Sequence, residues 1–301
     1  MKSLTELLGS HRLVVVPPSR TSDGRYVEAS CPLDIEHRAV IDQVQRFRGR
    51  IYVDDGALSP DALDRFGRHY SDFDDSCHHL LVVDDQDAVE GCVRIRFYRS
   101  APHPEDLHLW KSVADAPRAF GANGSGATVR CEAISAHIDR AFDQRGSLIE
   151  IGGFAVDERI RRSGKAIVLA AGCWSITRAL APSLGVALVT SRHGFNRILM
   201  RLGGFELGCG SGDVDGDGNG NGDASRDSDI HPLSFFDRHY GCNVDVLGFD
   251  TWKVNPEIES LVGEMECEIR TLLGVEGRSS LISVGDSSDS SVHTGTTISR
   301  I

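Results

Sequence analysis

Between residues 149 and 166 the chain reads as a strand, a short polar connection and the opening of a helix, spaced as Val156-x-x-x-x-Arg161-x-x-Gly164-x-Ala166. This pattern suits phosphate chemistry. Glycine lets backbone approach a ligand closely, and the N–H groups of a helix's first turn have no partner inside the helix and can face an anion. Arg161, Arg162, Ser163, Gly164, Lys165 and Ala166 are therefore the candidate loop for the phosphates of a donor molecule. The sequence has no G-x-G-x-x-G and no G-K-[ST], which sets aside dinucleotide-binding and P-loop readings. Arg159 joins Arg161, Arg162 and Lys165 to make four cations within seven residues, a cluster that by itself is read in favour of a solvated loop.

Two other arrangements suggest a metal and fail on inspection. His78 and His79 lie beside Cys77, but adjacent side chains of a strand point to opposite faces. Asp213, Asp215, Asp217 and Gly218 open like a calcium loop, yet the twelfth position is Ala224 instead of a bidentate Glu. No metal is expected. The eight cysteines are scattered without a C-x-x-C pair and read as reduced thiols. A net charge of -12 argues against nonspecific nucleic-acid binding. No run approaches the roughly 20 apolar residues of a membrane helix, and the first nine residues lack the features of a signal peptide. A cytoplasmic location is the expectation.

The elements that must position the loop are set by periodicity. Residues 13–16 and 25–29 are short β-prone pieces, giving an N-terminal strand with an arm over 1–33. Ile35, Val40, Ile41, Val44, Phe47 and Ile51 mark an amphipathic helix over 34–53, and Ser59-Pro60-Asp61 caps a second over 59–70. Residues 80–83 and 88–98 form a β-hairpin with Arg94 and Arg96 on one face. Next come helices over 107–113 and 129–142, a strand over 147–156, a helix over 164–180, a strand over 186–190 and a helix over 195–202. Residues 208–229 are almost wholly Gly, Asp, Asn and Ser and are expected to be a mobile insertion. Two strands within 232–252 and a helix over 256–273 complete a domain spanning 34–274, before a Ser-rich tail, 275–301, expected to be disordered.

With its flanking elements, the loop resembles the acyl-CoA-binding signature of the GNAT superfamily, and the strand at 186–190, Asn196 at a helix start and Gly204-Phe205 at its end resemble the superfamily's next block. Upstream the likeness narrows. Phe47-x-x-x-x-Tyr52-Val53, Asp72-x-x-Asp75, His79 to Val83, Gly91-Cys92-Val93-Arg94 and Glu150 to Val156 resemble acyl-homoserine-lactone synthases and long-chain N-acyl amino acid synthases. The resemblance implies an α/β (α+β) fold with a GNAT-like mixed central sheet flanked by helices. It also implies an N-acyltransferase taking a long acyl chain, as an acyl-phosphopantetheine thioester on acyl carrier protein or acyl-CoA, to the amine of an amino acid or similar small acceptor. An acidic carrier protein would suit the cationic loop.

The resemblance implies roles for particular residues as well. Residues 161–166 and Asn196 would hold the donor, and backbone N–H groups around Ala155 and Val156 would meet the oxyanion. Glu150 matches a family carboxylate that could take the amine proton, and is equally readable as a surface carboxylate at a strand end. Arg94 matches a family arginine that binds an acceptor carboxylate or organises the site with Asp72 and Asp75; an exposed strand arginine is the alternative. Two departures stand out. Gly152-Gly153 replaces the Ser-Arg usual in lactone synthases, and Met200 occupies the position of a tyrosine general acid, leaving His193 or Tyr240 as substitutes. Acetyl-CoA-dependent N-acetyltransfer, lactone synthesis and a non-catalytic thioester-binding module remain open alternatives.

Overall fold

The computed structural model describes residues 2–20, 33–115, 126–191, 194–207, 234–237, 241–273 and 299–300. The strand expected at 25–29, the insertion at 208–229 with its Asp triplet, and the tail at 275–298 lie outside them.

Apolar residues on both faces of the strands dictate a layered structure. In β1 (Arg12–Val16), Leu13 and Val15 point to one side while Val14 and Val16 point to the other; β2 (His78–Val83) splits its Leu80/Val82 and Leu81/Val83 pairs likewise. Such strands need cover on both sides. One face packs against α5 (Lys165–Leu180) and α7 (Pro256–Leu272), with α1 (Leu4–Leu8) and α6 (Phe195–Leu202) contributing Leu4, Leu8, Leu199 and Leu202. The opposite face is covered in two parts. Ile41, Val44, Phe47 and Ile51 of α2 (Leu33–Asp54) cover one half, and α3 (His108–Asp115) with α4 (Gly126–Arg145) covers the other. Because Leu4, Leu8, Leu13 and Val15 share a core with α5 and α7, residues 4–16 pack into the same body.

The remaining strands are β3 (Val89–Tyr98), β4 (Leu148–Val156), β5 (Leu184–Thr190), β6 (Gly204–Glu206), β7 (Phe235–Asp237), β8 (Cys242–Asp250) and β9 (Ser299–Arg300). Among the described residues they form one mixed sheet in the order β6-β8-β5-β4-β3-β2-β1-β9, with β7 also on β8. Among the described strands only β4 and β5 run parallel, joined by α5 as the crossover such a pair requires. This is the mixed sheet flanked by helices that the sequence predicts.

One expectation is corrected. The helix expected over 59–70 is only a single 3-10 turn, Pro60–Ala62, because Leu63 is extended and the Asp64 carboxylate captures the N–H groups of Phe66 and Arg68. At the sheet edge Ser299 and Arg300 pair with Val15 and Val14.

Two irregularities mark β4. Its parallel pairing with β5 is confined to Leu148–Ile151 against Leu184–Ala187, although β4 continues to Val156 and β5 to Thr190. The strands therefore part beyond that point. On its other side β4 carries one more residue than β3 between the Cys92↔Ala155 and Arg94↔Gly152 pairs, a bulge in which Gly153 sits at φ +63°. At the paired end, Gly185 faces Phe249, and a Cβ there would lie 2.0 Å from the buried ring. Gly185→Ala is expected to cost about 2 kcal/mol or more in urea unfolding through overpacking; an unchanged midpoint would contradict this packing.

Candidate active site

The gap between the diverging strands opens into a cavity of about 200 Å³ lined by Gly152 to Val156 of β4 and Leu188 to Thr190 of β5. It runs from Arg161 and Ala166 on one side of the sheet to Arg94, Arg96, His108 and Glu150 on the other. Ile51, Ile151 and Ile198 supply apolar wall, and Phe154 stacks on Phe195 with ring centroids 3.6 Å apart.

At the inner end, β-strand alternation places Arg94 and Arg96 on the face opposite Val93 and Ile95, under the seam between α2 and α3. Arg94 is buried, which overturns the exposed-arginine alternative. Its carboxylate partner is also corrected: Arg94 Nη1 donates to Asp74 Oδ1 at 3.0 Å and to Ser71 Oγ at 2.7 Å, while Asp72 is exposed and the Asp75 carboxylate faces Arg20 at 3.7 Å. Asp74 is the hub. The fully buried Arg48 grips it with both Nη atoms, at 3.1 and 2.7 Å, and Gln45 Nε2 donates to it at 2.9 Å. Burial opposes ionisation of Asp74, but the guanidiniums of Arg48 and Arg94 outweigh it and hold the carboxyl far below the usual carboxylate range.

Glu150 is buried in the cavity wall, so the surface-carboxylate alternative is also overturned. Its carboxylate accepts from Tyr98 Oη at 3.0 Å and from the backbone N–H groups of His108 and Leu109 at 3.1 and 2.7 Å. These last two open α3, so Glu150 caps that helix from the neighbouring strand. Three donors leave the carboxylate room for one more. Burial, followed by the charges of Arg94 and Arg48, pushes His108 down to about 3 and keeps its imidazole neutral. Cys77 also lines the cavity, but burial pushes its thiol up to about 12, which is unsuited to a nucleophile.

At the outer end Gly164 takes φ +85° immediately before α5, and Lys165 and Ala166 open the helix, as the motif requires. The cationic loop is largely neutralised. Arg161 donates to both Asp55 oxygens, at 2.8 and 2.7 Å, and to the Val156 carbonyl at 2.9 Å; Arg159 pairs with Asp157 and Glu90; Lys165 is buried. Arg162 is exposed on the loop, and the Ser163 hydroxyl donates to the Ile160 carbonyl at 2.6 Å. Ala155 and Val156 are buried in the wall where the strands part. Asn196 does not face the loop with a free amide: it donates to Asp245 at 2.9 Å. Met200 is exposed, and His193 and Tyr240 lie outside the described residues. Of the aromatics near the C-terminus, Phe235 and Phe249 are core, while Phe236 and Trp252 are exposed. Among the described residues no cluster of three or more His, Cys, Asp or Glu could hold a metal, and no helix is long and apolar enough to cross a membrane.

Residues 47–171, from the end of α2 through the bulged strand into α5, match the acetyltransferase (GNAT) domain family. Over this segment the chain is similar to GNAT-type acyltransferase domains, which supports an acyltransferase. No curated protein matches the sequence. Among solved structures it is similar to the CoA-dependent acyl-homoserine lactone synthase BjaI with SAM and isopentyl-CoA, at 12% identity, 86% of this chain, 89% of that one and TM-score 0.45. It is also similar to FeeM, an N-acyl amino acid synthase from uncultured soil microbes, at 11% identity, 81% and 93% coverage and TM-score 0.41. A third is arylalkylamine N-acetyltransferase 2 from Aedes aegypti, at 11% identity, 72% and 93% coverage and TM-score 0.39.

Proposed function

We propose that the protein moves an acyl chain from a phosphopantetheine thioester, on CoA or on acyl carrier protein, to the amine of an amino acid or similar small acceptor. The observation that carries this reading is the continuous cavity between β4 and β5, with a phosphate-suited helix start at one end and a charged acceptor pocket at the other. The donor's arm would lie where the strands part. Backbone polar groups along that gap face no neighbouring strand and can pair with the arm's amides. The amine nitrogen would attack the thioester carbonyl carbon; as the C–S bond breaks, the sulfur leaves as thiolate and the nitrogen loses a proton toward Glu150. The pairing of Arg159 and Arg161 with carboxylates weakens the charge argument for a carrier protein, so CoA and carrier stand as two arms of the test.

The test is thiol release by purified protein given acyl-CoA or acyl carrier protein and an amino-acid mixture, with products identified by mass spectrometry. An N-acyl amino acid is expected; a lactone, or an N-acetyl product from acetyl-CoA alone, would replace this reading. The donor end is tested by Gly164→Ala against Gly146→Ala. Both glycines are left-handed, at φ +85° and +71°, so both variants share a penalty of about 1 kcal/mol in stability. Only Gly164→Ala is expected to weaken donor binding, roughly 10-fold or more by calorimetry, because Gly164 sets the turn that aims the first N–H groups of α5 and its added Cβ would press on Leu7 Cδ2 at 3.1 Å. Equal donor affinity in the two variants would remove the loop from the site.

A further inference from the structure

Three guanidiniums, those of Arg48, Arg94 and Arg96, meet only two carboxylates, Asp74 and Glu150, among the described residues at the inner end of the cavity. Arg48 and Arg94 share Asp74, and Glu150 is turned toward Tyr98 and the start of α3. Arg96 is the guanidinium without a carboxylate. It is 9% exposed, and among the described residues its Nη1 donates only to the Asp106 carbonyl at 3.2 Å and its buried Nε has no partner. The side chain is nevertheless fixed, with its guanidinium carbon 4.3 Å from the Phe73 ring centroid and 4.8 Å from that of Tyr98. A buried cation held in place without a carboxylate is costly unless an anion completes it. The neutral His108 beside it adds no charge to complicate that balance.

Geometry names the anion. Arg96 and Glu150 are direct cross-strand partners on the same face of the sheet, where paired side chains start about 5 Å apart. An α-amino acid carries its ammonium and carboxylate on one carbon, a spacing that such a pair can bracket. Resting on the acyltransfer reading, we propose that Arg96 reads the α-carboxylate of a zwitterionic amino-acid acceptor while Glu150 receives its ammonium. Arg94, the residue that sequence singles out for this role, is instead a positioning residue held by Asp74. The acceptor class is thereby narrowed: amines that lack an adjacent carboxylate leave Arg96 unpaired and are poor substrates.

The experiment compares tyrosine with tyramine, phenylalanine with phenethylamine, and leucine with isoamylamine, using wild type, Arg96→Gln and Arg96→Lys. Turnover is followed by thiol release. Acceptor binding is measured separately by calorimetry in the presence of a non-transferable acyl-CoA thioether. Wild type is expected to prefer the best amino acid over its amine by about 100-fold or more in kcat/KM, because a site built around a buried donor rejects a ligand lacking its partner. Arg96→Gln is expected to raise KM for the amino acid by roughly 30-fold with a smaller change in kcat, and to leave the amine nearly unaffected. Arg96→Lys, which keeps the charge but loses the planar fork, should fall between. A wild type indifferent to the carboxylate, or a variant that loses amine and amino acid alike, overturns the proposal. Carboxylate-dependent binding without turnover of any acceptor would keep the role of Arg96 and overturn acyl transfer; absence of both overturns Arg96 as well.

Discussion

Asp74→Asn is expected to destabilise the fold by about 3 to 5 kcal/mol, since it strands two buried guanidiniums at once. Arg48 has no access to solvent and Arg94 little, so neither charge can turn outward to be hydrated. Guanidinium-chloride unfolding at neutral pH reads the effect, and a loss below about 1 kcal/mol would mean that the cluster relaxes freely. The pH dependence has a definite sign. Unfolded Asp titrates near 3.9, and the folded value lies well below that, so Asp74 binds its proton more readily in the unfolded chain. Its contribution is present above pH of about 4 and is lost as pH falls toward the folded value. The Asn variant should lack that segment of acid sensitivity.

Glu150→Gln is expected to lower kcat by roughly 10²-fold or more, for two separable reasons. An amide presents one acceptor oxygen where the carboxylate accepts from Tyr98, His108 and Leu109, so its NH2 group must face a donor. That mismatch loosens the start of α3 and costs about 1 to 3 kcal/mol of stability. The second loss is the missing base, and pH separates it from the first. An α-amino group with pKa near 8 sheds its proton unaided in alkaline solution, so a base deficit should shrink from about pH 6.5 to about pH 10. A deficit constant across that range would assign Glu150 to holding α3 alone.

The order of elements from β3 to α6 was legible because each reports a strong local period, and the strand-loop-helix motif falls where the fold places it. The charged hub was not. Asp72, Asp74 and Asp75 lie in one short acidic run, and only the 3-10 turn Asp74–Ser76 with its neighbours decides which one points inward. One clue to it was present: Arg48 comes after Ile41 and Val44 on the apolar stripe of α2, where a charged residue implies a buried partner. Arg96 was visible on the same strand face as Arg94, yet a lone sequence cannot say which arginine is already paired. The helix expected at 59–70 failed because capping signals at Ser59-Pro60 start a turn regardless of the residues beyond, and Asp64 ends it by local side-chain bonding.

The parting of β4 and β5 also divides the sheet mechanically. Four residue pairs, Leu148–Ile151 with Leu184–Ala187, are all that hydrogen-bond the block β6-β7-β8-β5 to the block β4-β3-β2-β1-β9 among the described residues. Below the gap, α5 contacts β2, β3 and β4 and sets Trp174 against Phe249 of β8, ring centroids 4.9 Å apart, while α6 reaches β5. Any guest seated in the gap would therefore add contacts between two strand blocks that share few ladder hydrogen bonds, favouring their closed arrangement. Occupancy would be felt far from the ligand, as slowed amide exchange in strands that never touch it.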